Sequence, residues 1–122
     1  MLYNTYMKTI IAGSRSLENF FQFCKILKEI TFNISLVISG GAKGIDSMAI
    51  TWARMKNYRC LIVPAQWNKY GKSAGYRRNL EMAEEADALI AIWDGESKGT
   101  KHMIDIMESQ NKLVKVVIVK NV

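Results

Sequence analysis

The stretch Ser39-Gly40-Gly41-Ala42-Lys43-Gly44-Ile45-Asp46 has the composition of a turn that holds an anion. Glycine lets the backbone bend sharply and lets a ligand approach without meeting a Cβ. Where such a turn opens a helix, the unpaired N–H groups of the first helical turn point at the occupant and favour negative charge. Ser39, Gly40, Gly41, Ala42 and Gly44 are therefore read as a phosphate-binding set, and Lys43 either adds charge or is solvated surface. Asp46 has two roles open to it: capping the helix, whose dipole favours a carboxylate there, or accepting from a ribose hydroxyl. The bland alternative for the whole turn is that its glycines only end a strand.

Two other turns have a related make-up, Gly13-Ser14-Arg15-Ser16 and Asp94-Gly95-Glu96-Ser97-Lys98-Gly99-Thr100. Gly99 and Thr100 offer N–H and hydroxyl donors at a helix start, unless Thr100 merely caps that helix. Arg15 either grips two phosphate oxygens at once or lies on the surface. Between these turns, Trp67, Tyr70 and Tyr76 are interleaved with Lys69, Lys72, Arg77 and Arg78. Rings among cations suit a stacked base with its phosphate held nearby. The competing reading packs Trp67 beneath its own loop. His102, the single histidine, falls one turn into a helix and reads as a surface residue. No Ser-His-Asp arrangement and no metal-ligand spacing is seen, and Cys24 and Cys60 form no such set. Neither a metal nor a cofactor is expected, and no catalytic residue can be named.

These residues need a scaffold that brings the turns together. The runs Lys8 to Ala12, Ser35 to Ile38, Arg59 to Val63, Ala88 to Trp93 and Leu113 to Val119 read as strands. Helices alternate with them. Ser16 is placed to cap the first, with Leu17, Phe20, Phe21, Cys24, Leu27 and Ile30 as its apolar face. The second carries Ile45, Met48, Ala49, Trp52 and Ala53, and runs to about Asn57. A third begins shortly before Asn79 and runs to about Ala86. The fourth carries Thr100, Met103, Ile104 and Met107. Continuous apolar strands alternating with helices predict an α/β fold, a mainly parallel five-stranded sheet with helices on both faces. The polar turns then lie at carboxyl ends of strands, where open parallel sheets hold their ligands.

The chain has 122 residues, 49% of them hydrophobic, and one proline, which suits a single domain over residues 1–122 with a real core. The net charge of +6 favours anionic partners without choosing among nucleotides, nucleic acid and acidic surfaces. No apolar run approaches a membrane span, and Met1 to Lys8 holds no apolar segment of the signal-peptide kind. With the two thiols this leads to the expectation of a cytoplasmic protein with no membrane partner. Apolar helix faces on a small sheet also leave homo-oligomer formation open.

Taken in order, Gly13-Ser14-Arg15, Ser39 to Asp46, Trp67 with Tyr70-Gly71-Lys72, Ala74-Gly75, Arg78-Asn79, Ala86-Asp87-Ala88 and Asp94 to Thr100 resemble the SLOG superfamily, in its small YspA/YpsA-like branch. The resemblance runs from about residue 8 to 119. One departure is Tyr76, where the branch carries proline. The resemblance implies a Rossmann-like, doubly wound fold that binds nucleotides or nucleotide-derived signals at these turns. The cytokinin-activating phosphoribohydrolases, a related family, have an Arg matched here by Arg78. They also have a Gly-Thr turn followed by a catalytic Glu, whose position here is Met103. A thioether can neither accept a proton nor support an oxocarbenium charge, so only the substrate-binding half of that pattern is present. Glu81, Asp94 and Glu96 are the carboxylates left to substitute. The DNA-processing protein A family has a turn similar to residues 39–46 and binds single-stranded DNA.

The favoured reading is a nucleotide-binding protein that senses or sequesters a small-molecule nucleotide ligand, NAD- or ADP-ribose-related on the strength of the resemblance. Its site comprises the three turns together with Trp67, Arg78 and Asn79. The alternatives are a nucleotide N-glycosidic hydrolase and a single-stranded nucleic-acid binder.

Overall fold

The structure is a computed structural model that describes residues 6–120. Of the stretch read above as free of a leader, Met1 to Thr5 lie outside the described residues.

The elements in chain order are β1 (Tyr6–Gly13), α1 (Phe20–Lys28), β2 (Asn33–Ser39), α2 (Ile45–Met55), β3 (Cys60–Ile62), α3 (Trp67–Tyr70), α4 (Ala74–Glu85), β4 (Ala88–Trp93), α5 (Lys98–Ser109) and β5 (Leu113–Ile118). A turn of 3-10 helix, Gly71–Ser73, joins α3 to α4. All strand pairs are parallel, and the sheet order is β3-β2-β1-β4-β5. The chain thus winds outward from β1 to β3, returns to the centre, and winds outward again through β4 to β5. This is the Rossmann-like arrangement, and its strand order reverses between β1 and β4. No described helix is long and apolar enough to cross a membrane.

Both sheet faces are covered, which is why the strands read as unbroken apolar runs rather than alternating ones. Successive side chains still point to opposite faces. Ile11 of β1 and Ile90 and Ile92 of β4 pack with Phe23 and Leu27 of α1 and with Ile45, Ala49 and Trp52 of α2. Ile10 and Ala12, with Leu89 and Ala91, pack with Met82 and Ala83 of α4 and with Met103 and Met107 of α5. Each fully buried Ile, Leu, Phe or Met side chain among these contributes about 1.5–3 kcal/mol. The edge strands are less covered. On β5, Leu113, Val116 and Ile118 are exposed.

The expected apolar faces of α2 and α5 are buried in full. The first helix is a correction. It starts after Asn19, not Ser16, and the Asn19 side chain accepts from the Gln22 N–H at 3.0 Å. Leu17 is the reason: it turns down into the core, with its N–H donating to the Ser14 carbonyl at 3.3 Å, before the helix begins. The later start rotates the face, so Phe23 is buried while Phe21 is 76% exposed beneath the Lys25 ammonium. The third strand is shorter than the predicted run, although Arg59 and Val63 still bond to Val37 and Ser39 of β2.

Candidate functional site

The carboxyl ends of β1, β2 and β4 open on one side of the sheet, and a cleft of ≈ 520 Å³ lies over them at the strand reversal. Its walls come from the loop after β1 (Gly13, Arg15, Ser16), from Ala42 and Asp46 at the start of α2, and from Asp94, Ser97, Gly99 and Thr100 at the start of α5. The fourth wall is α4 with the segment before it: Trp67, Lys72, Gly75, Tyr76, Arg78 and Asn79. Ala12, Met82 and Met103 supply apolar surface.

Ser14, at the end of β1, is buried and faces inward rather than toward the cleft. Its Oγ accepts from the Asp94 N–H at 2.9 Å, and its carbonyl accepts from the N–H of Ile45 at 3.4 Å. It bolts the ends of β1 and β4 to the start of α2. Gly44 has φ +79, and a Cβ there would stand 2.6 Å from the Ser14 and Arg15 carbonyl oxygens. Only glycine permits that approach.

The glycine turn after β2 is closed on itself. The Gly41 N–H donates to Ser39 Oγ at 3.2 Å, and the Ala42 N–H donates to Asp46 Oδ2 at 3.2 Å. Ser39 Oγ in turn donates to the Asp46 carbonyl at 3.0 Å, within the core. So these two N–H groups are taken by the protein, and Asp46, which does not cap its helix by the usual route, holds the turn through Oδ2 while bordering the cleft. Gly40 makes room for a side chain rather than for a ligand: a Cβ there would collide with the Arg78 guanidinium. Gly40, Gly41 and Gly44 shape the turn from behind, and Gly95, with φ +86, does the same for the turn after β4.

Arg78 is half-buried on α4. Its Nη1 donates to the Gly40 carbonyl at 2.7 Å and its Nε to Asn79 Oδ1 at 3.1 Å. The rest of its five-donor fork is left for the cleft. Burial lowers its pKa, opposed by the attraction of Asp46. Asp46 is 6% exposed, and burial pushes its carboxyl up to about 6 against the Ala42 N–H and the charges of Arg78 and Arg15. Arg15 itself is exposed at the rim.

Asp94 behaves in the opposite way. Its Oδ1 accepts from the N–H groups of Glu96 and Ser97, both at 2.9 Å, and these bonds hold its carboxyl below the ordinary value. The turn delivers the chain into α5, whose N-cap Ser97 makes no side-chain bond to the helix backbone. The hydroxyl of Thr100 instead donates to Ser97 Oγ at 3.2 Å, so Thr100 lies inside the helix and is not its cap. The start of α5 thus borders the cleft through Ser97, Gly99 and Thr100, with no cap bond from the Ser97 side chain to the first N–H groups of the helix.

Asn79 and His102 join α4 to α5. Asn79 Nδ2 donates to the Gly99 carbonyl at 3.2 Å and lies 3.1 Å from His102 Nδ1. The Tyr76 ring meets the imidazole edge-on with centroids 4.6 Å apart. His102 is thus part of the construction behind the cleft rather than free surface. Sequence spacing missed this because the contact pairs residues on two helices.

Trp67 is 51% exposed and lines the cleft, so it is not buried beneath its loop. Tyr70 is covered by cations of its own neighbourhood, with Arg77 4.4 Å and Lys69 5.0 Å from the ring centroid. Of the carboxylates considered as substitutes for a catalytic acid, Asp94 lines the cleft, while Glu81 and Glu96 lie on exposed positions away from it. Among the described residues no group of His, Cys, Asp and Glu is arranged to hold a metal ion.

The chain is similar to the Gene 61 protein of Mycobacterium phage D29, at 40% identity over 73 residues. That similarity covers 55% of this chain and 58% of the phage protein, whose name states no activity. No protein-family model and no solved structure matches the chain.

Proposed function

We propose that the protein binds a nucleotide or nucleotide-derived ligand in this cleft, as a sensor or sequestering protein of the SLOG superfamily. One observation carries the reading. The start of α5, uncapped by any side chain, and the half-buried guanidinium of Arg78 border the same cleft at the strand reversal. A phosphate placed there meets helix N–H groups and a cation together. Arg15 adds charge at the rim, and the exposed face of Trp67 offers a surface for a base. The glycine turn after β2 contributes by seating Arg78, while its Gly41 and Ala42 N–H groups are engaged within the turn.

The test is mass spectrometry of small molecules released on denaturing the purified protein, together with titration of a nucleotide panel. A nucleotide retained unchanged, with binding weakened in Arg78→Ala, is the expected result. A protein that retains none and binds no member of the panel overturns the reading.

A second reading, hydrolysis of a nucleotide N-glycosidic bond, is favoured by Asp46 and Asp94. Both line the cleft, and their pKa values are pushed in opposite directions. Such a split is how two carboxyls divide acid and base roles. Free base and sugar phosphate appearing on long incubation, and lost in Asp46→Asn with binding retained, would establish it. For single-stranded nucleic acid the support is weaker, since Tyr70 is already covered by Arg77 and Lys69.

A further inference from the structure

We propose that His102 is a positioning residue of the cleft: acting through Asn79, its neutral imidazole holds the Arg78 guanidinium in place, and its protonation releases it. The consequence for binding rests on the reading that Arg78 meets the anionic part of the ligand.

The hydrogen bonds of Asn79 leave one arrangement. The residue is 6% exposed, so its amide must find partners within the protein. Arg78 Nε is a donor only, which requires Oδ1 at that end of the amide, 3.1 Å away. The Gly99 carbonyl is an acceptor only, which requires Nδ2 at the other end, 3.2 Å away. The two ends agree. Nδ2 therefore also donates to His102 Nδ1 at 3.1 Å, so Nδ1 is bare and the imidazole proton sits on Nε2.

An imidazolium carries N–H on both ring nitrogens. Protonation sets two donors face to face across that distance. Turning the Asn79 amide over does not help, since it places NH2 against Arg78 Nε and oxygen against the Gly99 carbonyl. The ring is packed against Tyr76, so the amide is the group that gives way, and Arg78 loses one of its two partners and keeps only the Gly40 carbonyl.

Several groups bear on this equilibrium. The Tyr76 ring covers the imidazole from α4. Asp105, on the same helix, attracts the imidazolium but is paired with Lys101 at 3.0 Å. Burial acts against the charged ring and lowers its pKa. Arg78 lies beyond Asn79, facing Asp46 and Arg15. Asp46 is the rival, because it changes charge near Arg78 at about pH 6.

The chain has one histidine, so its imidazole signals in nitrogen NMR need no further assignment. At about pH 7.5 the expected spectrum shows the Nε2–H tautomer. The Arg78 Nε–H signal, identified by its loss in Arg78→Lys, is then followed from about pH 8 to about pH 5. It should move with the imidazole midpoint in the native protein and stay in place in His102→Asn. Asn supplies an oxygen where Nδ1 stood, accepts the same bond and does not titrate. His102→Gln serves as the second acceptor variant if His102→Asn fails to fold. A proton found on Nδ1, or an Arg78 signal that moves alike in native and variant protein, overturns the proposal and assigns the effect to Asp46.

Titrations with AMP and with inorganic pyrophosphate separate this proposal from the one beneath it. Over the same pH range the native protein should lose roughly tenfold more affinity than His102→Asn, the size of one bond to a charged donor. Equal losses overturn the role of His102 and leave nucleotide binding standing. No binding of either probe or of any member of the nucleotide panel, with the NMR behaviour as expected, supports the role of His102 and overturns the nucleotide reading.

Discussion

The guanidinium of Arg78 rests on the backbone of Gly40, with Nη1 2.7 Å from the carbonyl oxygen. Helix α4 is thereby pinned to the turn after β2. The pin needs a glycine beneath it and leaves most of the arginine's donors facing the cleft.

Arg78→Ala should weaken binding of nucleotide monophosphates by roughly 10- to 100-fold, the range for loss of a charge-assisted hydrogen bond. Arg78→Lys should recover only part of this, because an ammonium cannot donate to Gly40, Asn79 and a phosphate in the same plane. Calorimetric titration of the three proteins at one salt concentration measures the difference. Equal affinities would remove Arg78 from the site.

Trp67→Ala should separate base from phosphate. Stacking of one base is worth about 1–3 kcal/mol. AMP affinity should therefore fall while inorganic pyrophosphate affinity stays the same. The thermal midpoint should hardly change, since the side chain is half exposed. A parallel loss of both affinities would show that Trp67 shapes the cleft rather than contacting a base.

Asp46 gives a pH dependence of stability whose sign is unusual for an aspartate. Its folded-state pKa is raised from the ordinary 3.8 to about 6. The folded protein therefore binds this proton more tightly than the unfolded chain does. That contribution is present in full below the unfolded value and is lost as pH rises through about 6, leaving a buried ionised carboxylate that costs about 3 kcal/mol. Asp46→Asn keeps an oxygen for the Ala42 N–H and carries no charge. Urea unfolding should find it more stable than the native protein by roughly 1–3 kcal/mol near pH 8. The two should converge toward pH 4. A variant less stable at pH 8 would mean that the attraction of Arg78 and Arg15 outweighs burial.

Two glycines with positive φ should differ sharply when changed to alanine. At Gly44 a Cβ meets the backbone of Ser14 and Arg15, which cannot step aside. At Gly95 it meets open space. Gly44→Ala should cost roughly 3 kcal/mol or more, combining clash and backbone strain. Gly95→Ala should cost about 1 kcal/mol, from strain alone. Thermal melts of the two variants compare them directly.

Much of this architecture could be read from local pattern. The faces of α2 and α5, the limits of β4 and the placing of polar turns at strand ends all follow from spacing along one element. What spacing does not carry is direction across space. Asp46 was open to capping or ribose binding, and the structure turns its carboxylate to Ala42, because the turn folds back over the start of its own helix. The first helix went wrong at Leu17, whose burial is a tertiary event that displaces the cap to Asn19. His102 looked idle because its partner Asn79 belongs to another helix.

The reversal of strand order has a consequence for synthesis. Of the five strands β1 is made before the others and stands at the centre of the sheet, yet Ser14 at its end waits for Asp94, 80 residues later. Until β4 arrives, one side of β1 is an unpaired edge of isoleucines. Contacts so distant along a chain are slow to form and leave apolar surface open meanwhile. The cleft straddles the same seam. A chain made only as far as β3 holds the glycine turn but not its opposite wall, so the cleft is assembled only once β4 and α5 are in place.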